Sequence, residues 1–189
     1  MTDTSSPSIT RRALLGAFAA TTITAAPTYA NAAGFLRGAG DIRRIRMANP
    51  RNGETLNTIY WIEGDYLRDA VREISVFMRD WREDAVKDID TRTIDILSAS
   101  HNLLEVDEPY LLLSGYRTPA TNAMLRRRSG GVAKKSRHLK GQAADVRLTS
   151  RSVNQMYRAA VACHGGGVGR YTGSDFVHMD CGPVRSWGA

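Results

Sequence analysis

Three side chains in the second half of the sequence have the chemistry and spacing of metal ligands. His138 lies seven residues before Asp145, and His178 lies in a later segment of alternating residues. Two imidazole nitrogens and one carboxylate oxygen suit Zn²⁺, and three protein ligands leave a fourth position open for water, as catalysis requires. The sequence therefore predicts a metal site formed by His138, Asp145 and His178.

The predicted strands place two of these ligands on matching faces. In a strand over residues 143–148, alternation puts Asp145 on one face and the apolar side chains on the core face. In a strand over residues 176–180, the same rule separates His178 from its apolar neighbours. If the two strands are neighbours in the sheet, their polar faces converge, with His138 on the loop above them.

The remaining elements indicate one domain of the α+β class, with a mainly antiparallel central sheet flanked by helices. Three helices have predicted N-caps, at Asp65, Thr118 and Ser150. The strand over residues 176–180 is predicted to be the last one. In chain order, the pattern predicts strands over 44–48 and 55–62, helices over 67–81 and 91–104, a buried strand over 110–116, a helix that starts at Pro119, a strand over 143–148, a helix over 151–163, and strands over 168–171 and 176–180.

Residues 1–32 have the pattern of an export signal. Arg11 and Arg12 precede an apolar run without charge, and small residues follow near Ala30 and Ala32, where cleavage is expected. The run is shorter than the ~20 apolar residues that a membrane-spanning helix needs. The paired arginines indicate the twin-arginine route, and hence a periplasmic protein.

The chain is basic, with a formal net charge of +7. Loss of the signal, which contains two arginines and one aspartate, would leave +6 on residues 33–189. A basic exported domain favours an anionic partner in the cell envelope, such as peptidoglycan carboxylates, teichoic acid or lipid headgroups. The export signal argues against nucleic acid as the partner, and we expect a monomer without stable membrane insertion.

The two cysteines leave two alternatives open. In an oxidising compartment, Cys163 and Cys181 could form a disulfide. Cys163, however, lies in an apolar helical segment and Cys181 ends a strand, so two buried free thiols are equally compatible with the sequence.

The segment Ser136–Asp145 resembles a signature of zinc peptidases. The pattern S-x-H-x-x-G-x-A-x-D of the group containing the D-Ala-D-Ala carboxypeptidases, the vancomycin-resistance D,D-dipeptidases and sonic hedgehog is matched here. The chain is more similar still to the YcbK-like murein endopeptidases, over almost all of the mature length. This resemblance implies a hedgehog/D,D-peptidase-like fold and a zinc-dependent hydrolase that cuts peptide cross-links in peptidoglycan, including those between two diaminopimelate residues. The matching segments are 67–82, 114–119, 136–145, 166–169 and 176–187.

The general base is where this chain departs from the wider group. Some members have Glu three residues before the last ligand and others have His two residues before it, whereas this chain has Asp175 and Phe176 there. Asp175 is the predicted base, provided that the chain turns so that its carboxylate reaches the ligand face. Asp180, which alternation puts on that face, is the second candidate and could equally orient His178.

Two further residues have roles implied by the resemblance. Arg117 matches an arginine that stabilises the developing oxyanion or holds a substrate carboxylate, with a purely structural ion pair as the alternative. Ser136 is predicted to bind substrate, or else to bond the backbone of its loop.

Two alternative functions stay open at the level of sequence. A D,D- or L,D-carboxypeptidase acting on peptidoglycan stem peptides would use the same site residues. A non-catalytic, zinc-containing module that binds the cell wall is the alternative from a different class, since a fold alone does not determine function.

Overall fold

The computed structural model describes residues 40–188. The predicted signal peptide, residues 1–32, lies outside this range, so the division of the chain at residue 32 stays a prediction. Within residues 40–188, none of the helices combines the length and the apolar character that a membrane span requires.

The described part of the chain starts with an antiparallel hairpin. Strands β1 (Ile42–Ala48) and β2 (Thr55–Ile62) pair from end to end, close to the predicted bounds. Between them, the side chain of Asn49 accepts a hydrogen bond from the backbone N–H of Arg51 at 3.0 Å, which closes the turn. This turn holds the backbone of residue 51, whose side chain lines the cleft of the functional site.

The predicted cap of the first helix is wrong. Asp65 belongs to a short strand, β3 (Asp65–Tyr66), that pairs with the end of β2. Helix α1 (Arg68–Phe77) starts after Leu67 and has no side-chain cap. It also ends before the predicted residue 81, because residues 80 and 85 pair across a tight turn.

The helix α2 (Thr91–Leu103) matches its prediction, and the strand β4 (Tyr110–Ser114) starts as predicted but ends before the predicted residue 116. Helix α3 (Pro119–Arg128) starts as predicted, since the hydroxyl of its cap, Thr118, accepts the N–H of Thr121 at 3.1 Å. This cap holds the start of the helix directly after Arg117.

The helix that follows strand β5 (Ala143–Arg147) begins later than predicted. Helix α4 (Val153–Ala162) is capped by Ser152, not by Ser150, in a capping box with Gln155. Ser150 is engaged elsewhere, because its hydroxyl donates to the carboxylate of Glu108 at 2.6 Å.

The chain ends in three strands and not in two. After β6 (Gly167–Tyr171) and β7 (Phe176–Asp180), a further strand β8 (Arg185–Trp187) pairs in parallel with β6. The prediction that β7 is the last strand is therefore wrong. β8 covers one edge of the sheet and brings Trp187 next to the ligand strand.

Within residues 40–188, eight strands form one open sheet in the order β3-β2-β1-β4-β5-β7-β6-β8. Only the β1–β4 and β6–β8 pairs are parallel. The predicted α+β class, with a mainly antiparallel sheet flanked by helices, is confirmed.

Alternation along β5 and β7 separates the core from the site. Ala144, Val146 and Met179 are buried in the apolar core, where α2 and α4 pack against the sheet. The cysteines are buried free thiols: Cys181 belongs to this core, and Cys163 packs with Ala99. Of the two alternatives left open by the sequence, the structure shows the one without a disulfide.

Candidate active site

Strands β5 and β7 are direct neighbours, so the two predicted ligands that they carry lie side by side. In the antiparallel register, Asp145 is paired with His178, and Ala143 is paired with Asp180. Ala143 is small and fully buried, which leaves the space above this pair of strands to the polar side chains. The expected convergence of the two polar faces is confirmed.

The donor atoms of the three predicted ligands meet at one point. Asp145 Oδ1 lies 2.8 Å from His178 Nδ1 and 3.2 Å from His138 Nε2, and the two imidazole nitrogens are 3.2 Å apart. Such a His-Asp-His group, with all three donors within 4.8 Å of one another, could hold a metal ion. The structure thus brings the three residues together, while their role as ligands stays a prediction.

His138 is positioned by a short 3-10 helix, Arg137–Lys140. The hydroxyl of Ser136 caps this turn, and Gly141 ends it in the left-handed region at a φ of 67°. A Cβ at residue 141 would come within 2.4 Å of the carbonyl oxygen of Asp88, so a larger side chain does not fit. The turn therefore delivers a fully buried imidazole to the ligand strands.

The hydrogen bonds of His138 determine which of its nitrogens is available. Its Nδ1–H donates to the backbone carbonyl of Gly115 at 2.6 Å, and a carbonyl oxygen can only accept. The lone pair of the neutral ring therefore lies on Nε2, which faces Asp145. Burial and the nearby guanidinium of Arg117 lower the pKa of His138, although Asp145 opposes this, which favours the neutral ring.

His178 is held from behind by a carboxylate. Its Nε2–H donates to Asp180 Oδ2 at 3.0 Å. Its other ring nitrogen, Nδ1, therefore faces the predicted ligand atoms of His138 and Asp145. A carboxylate behind a histidine is the usual arrangement that orients metal-binding imidazoles. Burial lowers the pKa of His178, but hydrogen bonds to Asp145 and Asp180 outweigh it and raise the pKa to about 9.

Asp180 is completely buried and saturated with donors. Its carboxylate accepts hydrogen bonds from the N–H of Gly182 at 2.8 Å and from Arg185 Nη2 at 2.7 Å, besides His178, and it forms an ion pair with Arg137 Nε at 3.3 Å. Burial raises the pKa of Asp180, but the hydrogen bonds from His178, Arg185 and Gly182 outweigh it and lower the pKa to about 2. This environment favours the orienting role over that of a base.

The contacts of Arg137 and Arg185 with Asp180 were not predicted from the sequence. Each arginine lies on an element of its own, at the 3-10 turn and at the start of β8, and neither has a spacing that points to residue 180. Asp180 itself was the signal that could have predicted them. It lies two residues after a predicted ligand, and a carboxylate that is buried there needs hydrogen-bond or ion-pair partners.

Arg117 holds the carboxylate of Asp145, the predicted ligand on β5. Its Nη2 bonds to Asp145 Oδ2, its Nε–H donates to Ser114 Oγ at 2.7 Å, and the side chain is almost wholly buried. Burial raises the pKa of Asp145, but His138 and His178 outweigh it and hold the pKa well below the usual range. The structural ion pair considered for Arg117 is therefore present, and its predicted catalytic role stays a prediction.

Asp175 lies at the turn that its predicted role requires. It ends a 3-10 turn, Thr172–Ser174, in the left-handed region at a φ of 52°, directly before β7. Its side chain is 62% exposed and lies 3.5 Å from Arg147 Nη1, with no contact to the three predicted ligands. The chain therefore turns where the prediction requires, and the role of Asp175 as base stays a prediction.

The ligand group lies in a cleft of about 770 Å³. This volume is within the range of small-molecule and peptide pockets. Ser136 lines the cleft, and its hydroxyl accepts the backbone N–H of His138, so its bond to the loop backbone is present and its role in substrate binding stays a prediction. Arg51 and Arg82, which the sequence did not single out, also line it.

An aromatic wall formed by Tyr171, Phe176 and Trp187 closes one side of the cleft. Tyr171 and Phe176 stack with ring centroids 4.5 Å apart, and the indole N–H of Trp187 donates to the hydroxyl of Tyr171 at 3.0 Å. The ring of Trp187 is 5.4 Å from that of His178. This wall exists because β8 is part of the sheet.

Comparison with known proteins gives a family for the chain. The family model of the M15_2 peptidases, described as peptidoglycan L,D-endopeptidase MepK, matches residues 37–187. The chain belongs to this family. Membership confirms the resemblance to the murein endopeptidases of the zinc peptidase group, and the family is one of peptidases.

Curated relatives cover most of the chain. Peptidoglycan L,D-endopeptidase MepK of Escherichia coli (strain K12) is 39% identical over 145 residues, which are 77% of this chain and 80% of that protein. A probable peptidoglycan L,D-endopeptidase MepK of Haemophilus influenzae is 34% identical over 146 residues, with 77% and 78% covered.

Proposed function

We propose that this protein is an exported zinc metallopeptidase that hydrolyses peptide cross-links in peptidoglycan. The observation that carries the proposal is the meeting of His138 Nε2, Asp145 Oδ1 and His178 Nδ1 in a cleft of a chain that belongs to the M15_2 family. The relatives named as peptidoglycan L,D-endopeptidases support the substrate.

The donor set fits zinc. Two imidazoles and one carboxylate are ligands that Zn²⁺ takes in catalytic sites, and each imidazole has its other nitrogen held, by Gly115 or by Asp180. Zinc bound by these three residues would polarise the scissile carbonyl and lower the pKa of a bound water to ~7.

The surrounding residues divide the remaining tasks. Asp175 is proposed to take the proton of the attacking water, since its carboxylate is exposed at the turn that leads into β7. Asp180 orients His178 from behind, and Arg117 holds Asp145 while it lines the cleft. Arg117 and Ser136 are then available to bind the peptide or the developing oxyanion.

The location belongs to the proposal as well. Residues 1–32 would direct the protein through the twin-arginine route to the periplasm, where peptidoglycan is the available substrate. The mature protein is proposed to act as a monomer, without stable insertion into the membrane.

Intact sacculi provide the direct test. The mature protein is incubated with sacculi, with and without a chelator, and the released muropeptides are identified by mass spectrometry. We expect cross-linked dimers to be converted to monomers, and this conversion to stop with the chelator and resume with added Zn²⁺. Trimmed stems with intact cross-links would point to a carboxypeptidase, and binding without any product would overturn the enzymatic proposal.

A further inference from the structure

The wall of the cleft carries two arginines that stack on one tryptophan. The guanidinium carbon of Arg82 lies 4.2 Å from the ring centroid of Trp81, and that of Arg51 lies 5.0 Å from it. Both arginines line the same cleft as the His-Asp-His group. Stacking on an aromatic face leaves the in-plane N–H groups of a guanidinium free to bind a planar anion.

The backbone N–H of each arginine is held by a side chain, and that of Arg82 is linked in this way to the active site. Asp80, which is buried, accepts the N–H of Arg82 through Oδ1 at 3.1 Å and the N–H of Thr118 through Oδ2 at 2.8 Å. Thr118 follows Arg117, which grips the ligand Asp145. On the other side, Asn49 holds the N–H of Arg51. The backbone of Arg82 is therefore connected to the segment that carries Arg117, while the backbone of Arg51 is held within its own turn.

The positive charges of Arg51 and Arg82 are not neutralised by ion pairs within the described residues. Within residues 40–188, neither guanidinium is bonded to a carboxylate or to any other acceptor, whereas the neighbouring Arg79 bonds to both Glu54 and Asp84. Asp80 contributes a negative charge, but its hydrogen bond to Arg82 is to the backbone N–H and not to the guanidinium. Burial lowers the pKa of Arg82, and the positive charges of Arg51, Arg117 and Arg128 add to this effect.

We propose that Arg51 and Arg82 form a subsite that binds a free carboxylate of the peptide substrate, at a residue away from the bond that is cut. An anionic ligand would neutralise a group of converging positive charges in a partly enclosed cleft, where charge-assisted bidentate hydrogen bonds are strong. The inference rests on the proposed function, because peptidoglycan peptides carry free carboxylates on their diaminopimelate and glutamate residues.

The test compares substrates that differ only in one charge. Four cross-linked muropeptide dimers are prepared, with the diaminopimelate carboxylate, the glutamate carboxylate, both or neither converted to an amide. Hydrolysis with Zn²⁺ gives kcat and KM, and quenching of tryptophan fluorescence in the presence of a chelator gives a Kd without turnover. The variants are R51Q and R82Q, with R72Q as the matched control, since Arg72 is exposed on α1 and outside the cleft wall.

We expect amidation of one of the two carboxylates to raise KM and Kd about tenfold for the wild type and for R72Q, which is the effect of losing ~1.4 kcal/mol. For R51Q and R82Q, the free and amidated dimers should be bound equally weakly, with kcat within about twofold of the wild type. R82K keeps the positive charge but loses the planar set of N–H donors of the guanidinium. It should therefore recover part of the difference in binding between the free and the amidated dimers. The carboxylate whose amidation matters identifies the residue that is bound.

The outcomes separate the two proposals. If the wild type cleaves dimers but R51Q and R82Q discriminate against amides as R72Q does, the subsite is overturned and the peptidase stands. If no dimer is cleaved, yet the wild type binds the free carboxylate more tightly and R82Q does not, the proposed activity fails and the subsite stands. Equal binding of all dimers by the wild type overturns the subsite, and thermal unfolding shows whether each variant is folded.

Discussion

Two aspartates flank His178 in the sequence, and their surroundings assign them different tasks. Asp180 is buried, has a pKa of about 2 and accepts hydrogen bonds from His178, Gly182 and Arg185. Asp175 is exposed, and its carboxylate lies 3.5 Å from Arg147 Nη1. A group that must exchange a proton with water needs access and a carboxylate that is not saturated by donors, which favours Asp175 as the base.

The substitution D175N should lower kcat by about 10²–10⁴-fold, because general-base catalysis contributes that much and an amide cannot accept the proton. The zinc content and the melting temperature should stay close to those of the wild type, since the side chain is exposed. The measurements are kcat on cross-linked dimers, zinc by atomic absorption and Tm. Unchanged kcat would remove Asp175 from the mechanism.

The companion substitution D180N should behave in the opposite way. Loss of the carboxylate behind His178 should weaken zinc binding by about 10–100-fold, and it should lower Tm because Arg137 and Arg185 lose their partner. At saturating zinc, much of the activity should return. Competition with a chromogenic chelator measures the affinity, and a full loss of kcat with normal zinc affinity would contradict the orienting role.

At the scale of the elements, β8 depends on one glycine in its neighbour. A Cβ at Gly169 would lie 2.6 Å from the ring of Trp187, so only glycine allows the indole to lie against β6. The same indole forms part of the aromatic wall beside His178. The absence of a side chain at one strand position thus shapes the cleft.

We expect G169A to destabilise the protein by about 1–3 kcal/mol, the typical effect of overpacking, and to raise KM for cross-linked dimers. G173A is the control, because no atom lies within 4 Å of its added Cβ and its φ is not positive. Urea unfolding and steady-state kinetics measure the two effects. Equal stability of the two variants would show that β8 does not dock as described.

The cap of α2 predicts a dependence of stability on acid pH. Asp90 accepts the N–H of Arg92 and forms an ion pair with its side chain at 2.7 Å. Hydrogen bonds from Arg92 outweigh the opposing effect of burial and lower the pKa of Asp90 from 3.8 to about 2. A carboxylate with a lowered pKa stabilises the folded state above pH 3.8, and this contribution is lost as the pH falls towards 2.

The variant D90N keeps a good N-cap but loses the charge. It should be less stable than the wild type by up to about 1 kcal/mol at pH 7, since exposed ion pairs contribute little. The difference should shrink as the pH falls through 3.8. Urea unfolding at pH 7, 4 and 3 measures it, and a difference that grows in acid would contradict the assignment.

At the scale of the whole molecule, the site joins segments that are far apart in the chain. The 3-10 turn supplies His138, β5 supplies Asp145 and β7 supplies His178, while Gly115 after β4 holds the imidazole of His138. A ligand that binds all three segments binds the folded state and not the unfolded chain. Metal binding should therefore stabilise the fold.

Zinc at 100 times its Kd should stabilise the folded state by about 2.7 kcal/mol, which should raise Tm by several degrees. Calorimetry with increasing zinc, and after chelation, measures the shift. H178A is the control variant, for which the shift should be much smaller. A Tm that does not respond to zinc in the wild type would argue against the metal site.

Local patterns were sufficient for the ligand strands and for most helices. Strand alternation has a period of two residues, so the face that carries Asp145, and the face shared by His178 and Asp180, could be predicted from neighbouring positions alone. The cap at Thr118 also followed from adjacent residues. These features depend on interactions within a few residues, which a sequence displays directly.

Two of the predictions that failed, the cap at Ser150 and the end of the sheet at β7, depend on partners far away in the sequence. Ser150 does not cap α4 because Glu108, 42 residues earlier, takes its hydroxyl. The strand β8 has only three residues and no period of its own, and it exists because β6 offers a free edge.

The sequence by itself determined which residues could bind a metal and which face of each strand would carry them, because both depend on residue type and on the local period of the chain. The tertiary structure alone decided which groups hold these ligands and which groups line the cleft around them. The carbonyl of Gly115, the two arginines on Asp180 and the pair Arg51 and Arg82 all reach the site from other elements. Their positions depend on how the sheet is assembled, and no local pattern records that.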